Sequence, residues 1–321
     1  MLFMFLAMGL VSAEPSSVVT DDIEAPLKVE YGVIPENVAQ IAREVVNQPL
    51  AYRMKALSDP FLGLPYEIDG HGEGSGPDTD PPARYDTFDC LTFLEEILAL
   101  AFAGDPVSAP VYRQALRYKD GEVDYTKRHH FMMAQWVPEN IASGFVVDIT
   151  HTLGETHRIE KTVTRQVWQN WAGTNGFQLR LDELPVGEYG LNVLSLDAAE
   201  AAIEQIPPGA IILTVRQPKS WKPIVVSHVG FIVPRPEGHP VKVRHASKIQ
   251  GGAVRDHTLA WYIERMRWYK RAVEGIAVLM PVEQGPRSVT GRGSLRVDGV
   301  GLRCLEAGPE AWMIETEGAD Q

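Results

Sequence analysis

The spacing of apolar and polar positions divides the chain into a helical first half and a strand-rich second half. Residues 35–46 (PENVAQIAREVV) carry apolar side chains at helical spacing, with Pro35 early, where a missing N–H costs little. Residues 86–103 (DTFDCLTFLEEILALAFA) predict a buried helix, because Phe93, Leu94, Ile97, Leu98 and Ala101 recur at steps of three and four. Asp86 or Asp89 is its N-cap candidate, and Gly104 with Asp105-Pro106 ends it. Residues 107–150 contain another helical stretch, and residues 198–206 a short helix closed by Pro207-Pro208-Gly209. Residues 210–215 (AIILTV), 225–233 (VVSHVGFIV) and 241–246 (VKVRHA) are rich in β-branched side chains and bounded by Pro and Gly, so they predict strands. A helix over 258–267 and a strand over 275–281 follow. Helices first and an antiparallel-looking sheet afterwards make an α+β pattern, not the βαβ alternation of a doubly wound fold.

Two stretches lack either period. Residues 65–84 (PYEIDGHGEGSGPDTDPPAR) are rich in Gly, Pro and Asp and predict a long loop, a feature more often functional than idle. Residues 283–321 form a Gly-rich tail with weak patterning, for which no structure is expected. At the other end, residues 1–13 (MLFMFLAMGLVSA) hold an apolar run too short to span a bilayer, closed by a small-residue cleavage pattern. No Lys or Arg precedes it, yet the pattern fits a signal peptide. The expected organisation is a signal peptide over 1–13, a leader over 14–33, one domain over 34–282 and the tail. Export, to the periplasm or beyond, follows, with no stable membrane span after cleavage.

The chain has 321 residues with 42 acidic and 30 basic side chains, a formal net charge of −12. That balance, with no basic run, argues against a nucleic-acid partner, which needs a clustered basic face. Two cysteines, Cys90 and Cys304, do not form a disulfide framework. Cys90 opens a predicted helix directly after the loop, where unpaired backbone N–H groups and the helix dipole favour a thiolate. A lone cysteine is otherwise a small core residue, the expectation for Cys304. His228 stands inside the apolar run VVSHVGFIV, flanked by the small Ser227 and Gly230, and His245 stands in the next strand. A hairpin turning near residues 234–238 brings both rings to one face, supplying a base and a group to orient it for a cysteine nucleophile.

These residues resemble a family. FDCLTFLEE is similar to the nucleophile helix of the NlpC/P60 superfamily of papain-like cell-wall hydrolases. More narrowly, the chain resembles the DUF1460 family of N-acetylmuramoyl-L-alanine amidase-like proteins. Four blocks carry the likeness, between about residue 35 and about residue 282: PYEIDGHGEG through DPPARYDTFDCLTFLEE; RYKDGEVDYTKRHHFMMAQWVPENI through VVDIT; IPPGAIILTV with SHVGFIV; and RHASKIQGGAV through LAWYIER and GIAVLMP.

The resemblance implies a papain-like core with helical insertions, with Cys90 as nucleophile, His228 as general base and His245 as third member. It also implies Tyr66 as a tyrosine beside the nucleophile and Arg128 and His130 as substrate contacts; ion pairing with nearby acids such as Asp124 and Asp148 is the alternative for the last two. Leu91 departs from the Ser or Thr common after the cysteine. The implied substrate is a peptidoglycan fragment, cut at the amide between N-acetylmuramic acid and L-alanine, with no metal or cofactor. Arg128, Arg244 and Lys248 are the cations nearest the motifs for its carboxylates, and Trp136, Trp168 and Trp171 are aromatic candidates for stacking on sugar. The same catalytic set also suits a γ-D-glutamyl–diamino acid endopeptidase, and a non-catalytic wall-binding module is a third reading. A zinc amidase is disfavoured, because the nine histidines show no HExxH-like spacing.

Overall fold

The computed structural model describes residues 33–286 and the backbone of four further strands up to residue 315. The expected signal peptide and the leader up to residue 32 lie outside the described residues. In chain order the helices are α1 (Glu36–Val45), α2 (Leu50–Ser58), α3 (Cys90–Ala103), α4 (Ala109–Arg117), α5 (Val137–Ala142), α6 (Arg165–Asn170), α7 (Leu196–Ala201) and α8 (Leu259–Arg267). The strands are β1 (Val146–Asp148), β2 (His157–Val163), β3 (Gly187–Ser195), β4 (Ile211–Arg216), β5 (Val226–Val233), β6 (Lys242–Ser247), β7 (Ala253–Thr258) and β8 (Val273–Pro281). The tail adds β9 (Ser288–Gly291), β10 (Leu295–Asp298), β11 (Gly301–Cys304) and β12 (Trp312–Glu315).

One antiparallel sheet runs in the order β2-β3-β8-β4-β5-β6-β7, with β1 added on β8. Helices cover both of its faces, which is why β4 is buried along nearly its whole length instead of alternating. Ile211, Leu213 and Val215 point to the face under α2, α3 and α4, while Ile212 points to the face under α7 and α8. The α+β expectation holds, and the expected helices and strands fall within a few residues of their observed bounds. The tail departs from expectation, since β9 pairs with β12 and β10 with β11.

The central helix is α3. Asp89 is its N-cap, accepting the N–H groups of Leu91 and Thr92 while the Thr92 hydroxyl accepts the Asp89 N–H. Gly104, in the left-handed conformation at φ 67°, closes it. Every residue from Thr92 to Ala101 is buried, Glu95 and Glu96 included. The two acids are paired with α4: Arg117 Nε lies 2.7 Å from Glu95 and Arg113 NH1 lies 2.9 Å from Glu96. Trp136 Nε1 also donates to Glu95, and the Tyr85 hydroxyl to Glu96. Buried charges of this kind persist only when paired and hydrogen-bonded.

Candidate active site

Cys90, the first residue of α3, is half-buried and carries no disulfide. The helix start turns it toward β5, where the Val229 backbone N–H is near enough to favour the charged sulfur. Val229 directly follows His228. The chain is irregular there: Thr214 of β4 pairs with His228 but Val215 pairs with Val226, so Ser227 is an extra residue in β5. Such a bulge re-aims neighbouring side chains. Ser227 is held by Arg216 Nε at 2.8 Å.

His228 Nε2 lies 2.6 Å from Nδ1 of His245, so β5 and β6 bring the two expected rings together. They share the α8 face with Tyr262, whose ring centre is 5.4 Å from that of His245 and whose hydroxyl bonds Thr214 Oγ1 at 2.5 Å. Gly230 explains how the strands come so close: a Cβ there would lie 2.8 Å from the Arg244 carbonyl oxygen and 2.9 Å from the His245 Cβ. What comes close to the Gly230 backbone is therefore strand β6.

The chain of rings continues beyond the expected set. His245 Nε2 lies 2.8 Å from Nδ1 of His257 on β7, and His257 Nε2 lies 3.3 Å from Oε1 of Gln250. His257 stacks on Trp261 with ring centres 4.3 Å apart. The β7 sequence AVRDHT lacks the apolar alternation that marks a strand, so sequence reasoning missed both the element and its histidine.

Tyr66 reaches the site although the loop separates it from Cys90. Tyr66 and Glu67 bridge to Phe88, Thr87 Oγ1 donates to the Pro65 carbonyl, and the Tyr66 N–H donates to Gly252. Both ends of the loop are thus tied beside the start of α3, and its length does not matter. Burial, with Cys90 and Asp89 close by, pushes the Tyr66 phenol well above its ordinary pKa and keeps it a donor. Lys248 lies over its ring, Nζ 5.6 Å from the centre.

Burial governs the protonation states. It pushes the Cys90 thiol up to about 12, with the Asp89 carboxylate adding to the rise. The N–H groups of Val229, Cys90 and Leu91 oppose it without winning, so the thiolate expected from the helix start alone is not the resting state. Burial and Arg216 lower His228 to about 4, and burial with the two neighbouring rings lowers His245 to about 2. These directions leave the thiol and both imidazoles neutral near neutral pH.

The remaining candidates serve the frame. Arg128 NH1 is 2.9 Å from Asp78 and its NH2 is 2.7 Å from the His71 carbonyl, so its guanidinium pins the 65–84 loop; its partners are loop residues, not Asp124 or Asp148. His130 Nε2 donates to the Tyr125 carbonyl at 2.7 Å, and the ring packs against Tyr125 and Phe177. Arg244, one of the expected substrate cations, is buried and spent on Asp59 and Asp256, both at 2.7 Å. Trp136 and Trp168, at 0 % and 1 % exposure, are core residues and not sugar platforms. Among the described residues no group of three or more His, Cys, Asp or Glu side chains is arranged to hold a metal ion, and no helix is long and apolar enough to cross a membrane.

Comparison with known proteins matches residues 56–269 to a family model described as AmiA-like, N-acetylmuramoyl-L-alanine amidase-like. No curated protein matches the chain. Among solved structures, a Legionella pneumophila protein assigned to the DUF1460 family model is similar at a TM-score of 0.67 and 23 % identity, covering 78 % of this chain and 95 % of that one. An N-acetylmuramoyl-L-alanine amidase from Bacteroides uniformis is similar at a TM-score of 0.58 and 20 % identity, covering 72 % and 98 %. Both likenesses speak to the fold.

Proposed function

Because the chain belongs to the AmiA-like, N-acetylmuramoyl-L-alanine amidase-like family, we propose that it is a cysteine amide hydrolase of peptidoglycan fragments, built on a papain-like NlpC/P60 core. The bond cut is the amide between the lactyl group of N-acetylmuramic acid and L-alanine. The observation that carries this reading is Cys90 at the start of α3, packed against the cluster that holds Val229, the residue after a His228 whose ring is bonded to His245.

The chemistry follows from the resting protonation. A neutral thiol needs a base at the moment of attack, so His228 takes the Cys90 proton as sulfur bonds to the carbonyl carbon. The oxyanion forms at the start of α3, where the Cys90 N–H of the first helical turn is one donor and the Tyr66 hydroxyl supplies a second. The C–N bond breaks as His228 passes its proton to the alanine nitrogen, leaving a thioester on Cys90. Water adds to the thioester while His228 takes a proton from it. The muramoyl carboxylic acid leaves and the proton returns to sulfur.

Arg128 contributes by shaping the loop beside the site, and Lys248 offers positive charge to the carboxylates of the peptide stem. The signal peptide over 1–13 carries the protein out of the cytoplasm to its substrate.

A panel of purified muropeptides, analysed by mass after incubation, tests the reading. The expected products are a sugar bearing a free lactyl carboxylate and a peptide with an L-alanine amino terminus. Cleavage at the γ-D-glutamyl–diamino acid bond overturns the choice of bond, and tight binding without turnover overturns the enzyme.

A further inference from the structure

Resting on the hydrolase reading, we infer that Gln250 and His257 are positioning residues that set the tautomer of the catalytic histidine from the protein surface. The inference starts from a count of protons. A neutral imidazole carries one N–H and one bare nitrogen, so a line of neutral rings bonded nitrogen to nitrogen admits only two arrangements, with every donor pointing one way or every donor pointing the other. What stands at the end of the line selects between them.

The line here is His228 Nε2 to His245 Nδ1, His245 Nε2 to His257 Nδ1, and His257 Nε2 to Gln250 Oε1. The Gln250 amide turns its Oε1 to the ring, and in that orientation it only accepts, so His257 carries its proton on Nε2 and presents a bare Nδ1; turned over, the amide would donate and reverse the line. His245 must then donate from Nε2 and accept at Nδ1, and His228 must donate from Nε2. The nitrogen of His228 left with a lone pair is Nδ1, free to take a proton. With the order reversed, Nδ1 of His228 would carry a hydrogen and the base would be lost.

Two further features mark this end of the line. Gln250 sits at φ 53° and ψ 45°, a left-handed conformation uncommon for a residue other than glycine, sustained where the surroundings over-determine it. Trp261 stacks on His257 with an interplanar angle of 18°, which fixes the plane of the ring and hence the direction of both nitrogens. Burial lowers the pKa of all three rings, so the neutral forms the count requires are those present near neutral pH.

Nitrogen-15 NMR of the histidine rings in the full chain decides the matter independently of activity. The wild type is expected to show His228, His245 and His257 with hydrogen on Nε2 and bare Nδ1. Gln250→Met removes the acceptor and is expected to give mixed tautomers, with kcat lowered two- to tenfold, the factor one net hydrogen bond is worth, and KM unchanged. Gln250→Glu keeps an acceptor and is expected to retain the wild-type tautomers. Hydrogen on Nδ1 of His257 in the wild type, or wild-type tautomers persisting in folded Gln250→Met, would overturn the assignment. Absence of hydrolysis with the expected tautomers present would instead strike the hydrolase reading alone.

Discussion

Replacing Arg117 with methionine tests how the nucleophile helix is held. Arg117 is 2 % exposed; its Nε donates to Glu95 at 2.7 Å and its NH1 to the Pro82 carbonyl at 2.8 Å. Glu95 is equally buried, and with Arg117 gone it keeps only the Trp136 Nε1 bond at 3.0 Å. Methionine fills similar volume, so the cost is electrostatic: a carboxylate left in the core without its counter-charge, worth about 3–5 kcal/mol. For a domain of this size that is a fall in Tm on the order of 10 °C. The double variant Arg117→Met/Glu95→Leu removes both charges and should recover at least half of the loss, since only the Trp136 and Pro82 groups then lack partners. Urea unfolding of wild type, both single variants and the double variant closes the cycle. A single-variant cost below about 1 kcal/mol, or a double variant as unstable as the sum of the singles, would refute the claim that this pair anchors α3.

Three other outcomes follow from the geometry. His71, His130, His228 and His245 have pKa values lowered to about 3, 4, 4 and 2, chiefly by burial. Stability is therefore full above the unfolded-state value of about 6.5 and is lost as pH falls from there toward the folded values, by roughly 2 kcal/mol per ring at pH 5; urea midpoints that stay level between pH 7 and pH 5 would contradict it. Gly230→Ala places a Cβ against the Arg244 backbone and should cost about 1–3 kcal/mol while lowering turnover, because β5 and β6 must separate where they hold His228 and His245; an unchanged urea midpoint would show that the strands do not need the close approach. Lys248→Ala should raise KM for carboxylate-bearing fragments about threefold and flatten its salt dependence, leaving kcat alone; a KM equal to wild type at low salt would remove Lys248 from substrate binding.

Much of the frame was legible in the chain because helices and strands with covered faces declare themselves by apolar spacing. The helix beginning at Cys90 could be placed from its Asp cap and Gly stop, and β4 and β5 from their β-branched runs. The burial of Glu95 and Glu96 was not legible, since nothing local shows that Arg113 and Arg117 return to neutralise them. Arg128 and Arg244 read as open cations for the same reason, although acids distant in sequence consume them. Tyr66 could be joined to Cys90 only by resemblance, because the backbone pairing that closes the loop lies outside any local pattern. His257 was invisible: its strand is polar, and its meaning arises only when β6 and β7 lie side by side. The direction of the Cys90 pKa also eluded local reasoning, because the helix start is a sequence feature and burial is a tertiary one.

The most direct test follows the sulfur itself. The protein is quenched in acid during turnover of a fragment carrying the N-acetylmuramoyl–L-alanine bond, and its peptides are mapped by mass. A muramoyl acyl group on the peptide containing Cys90, absent from an inactive but folded Cys90→Ala protein, is the expected result. Undiminished hydrolysis by folded Cys90→Ala, with no acyl group on the wild-type sulfur, would contradict it.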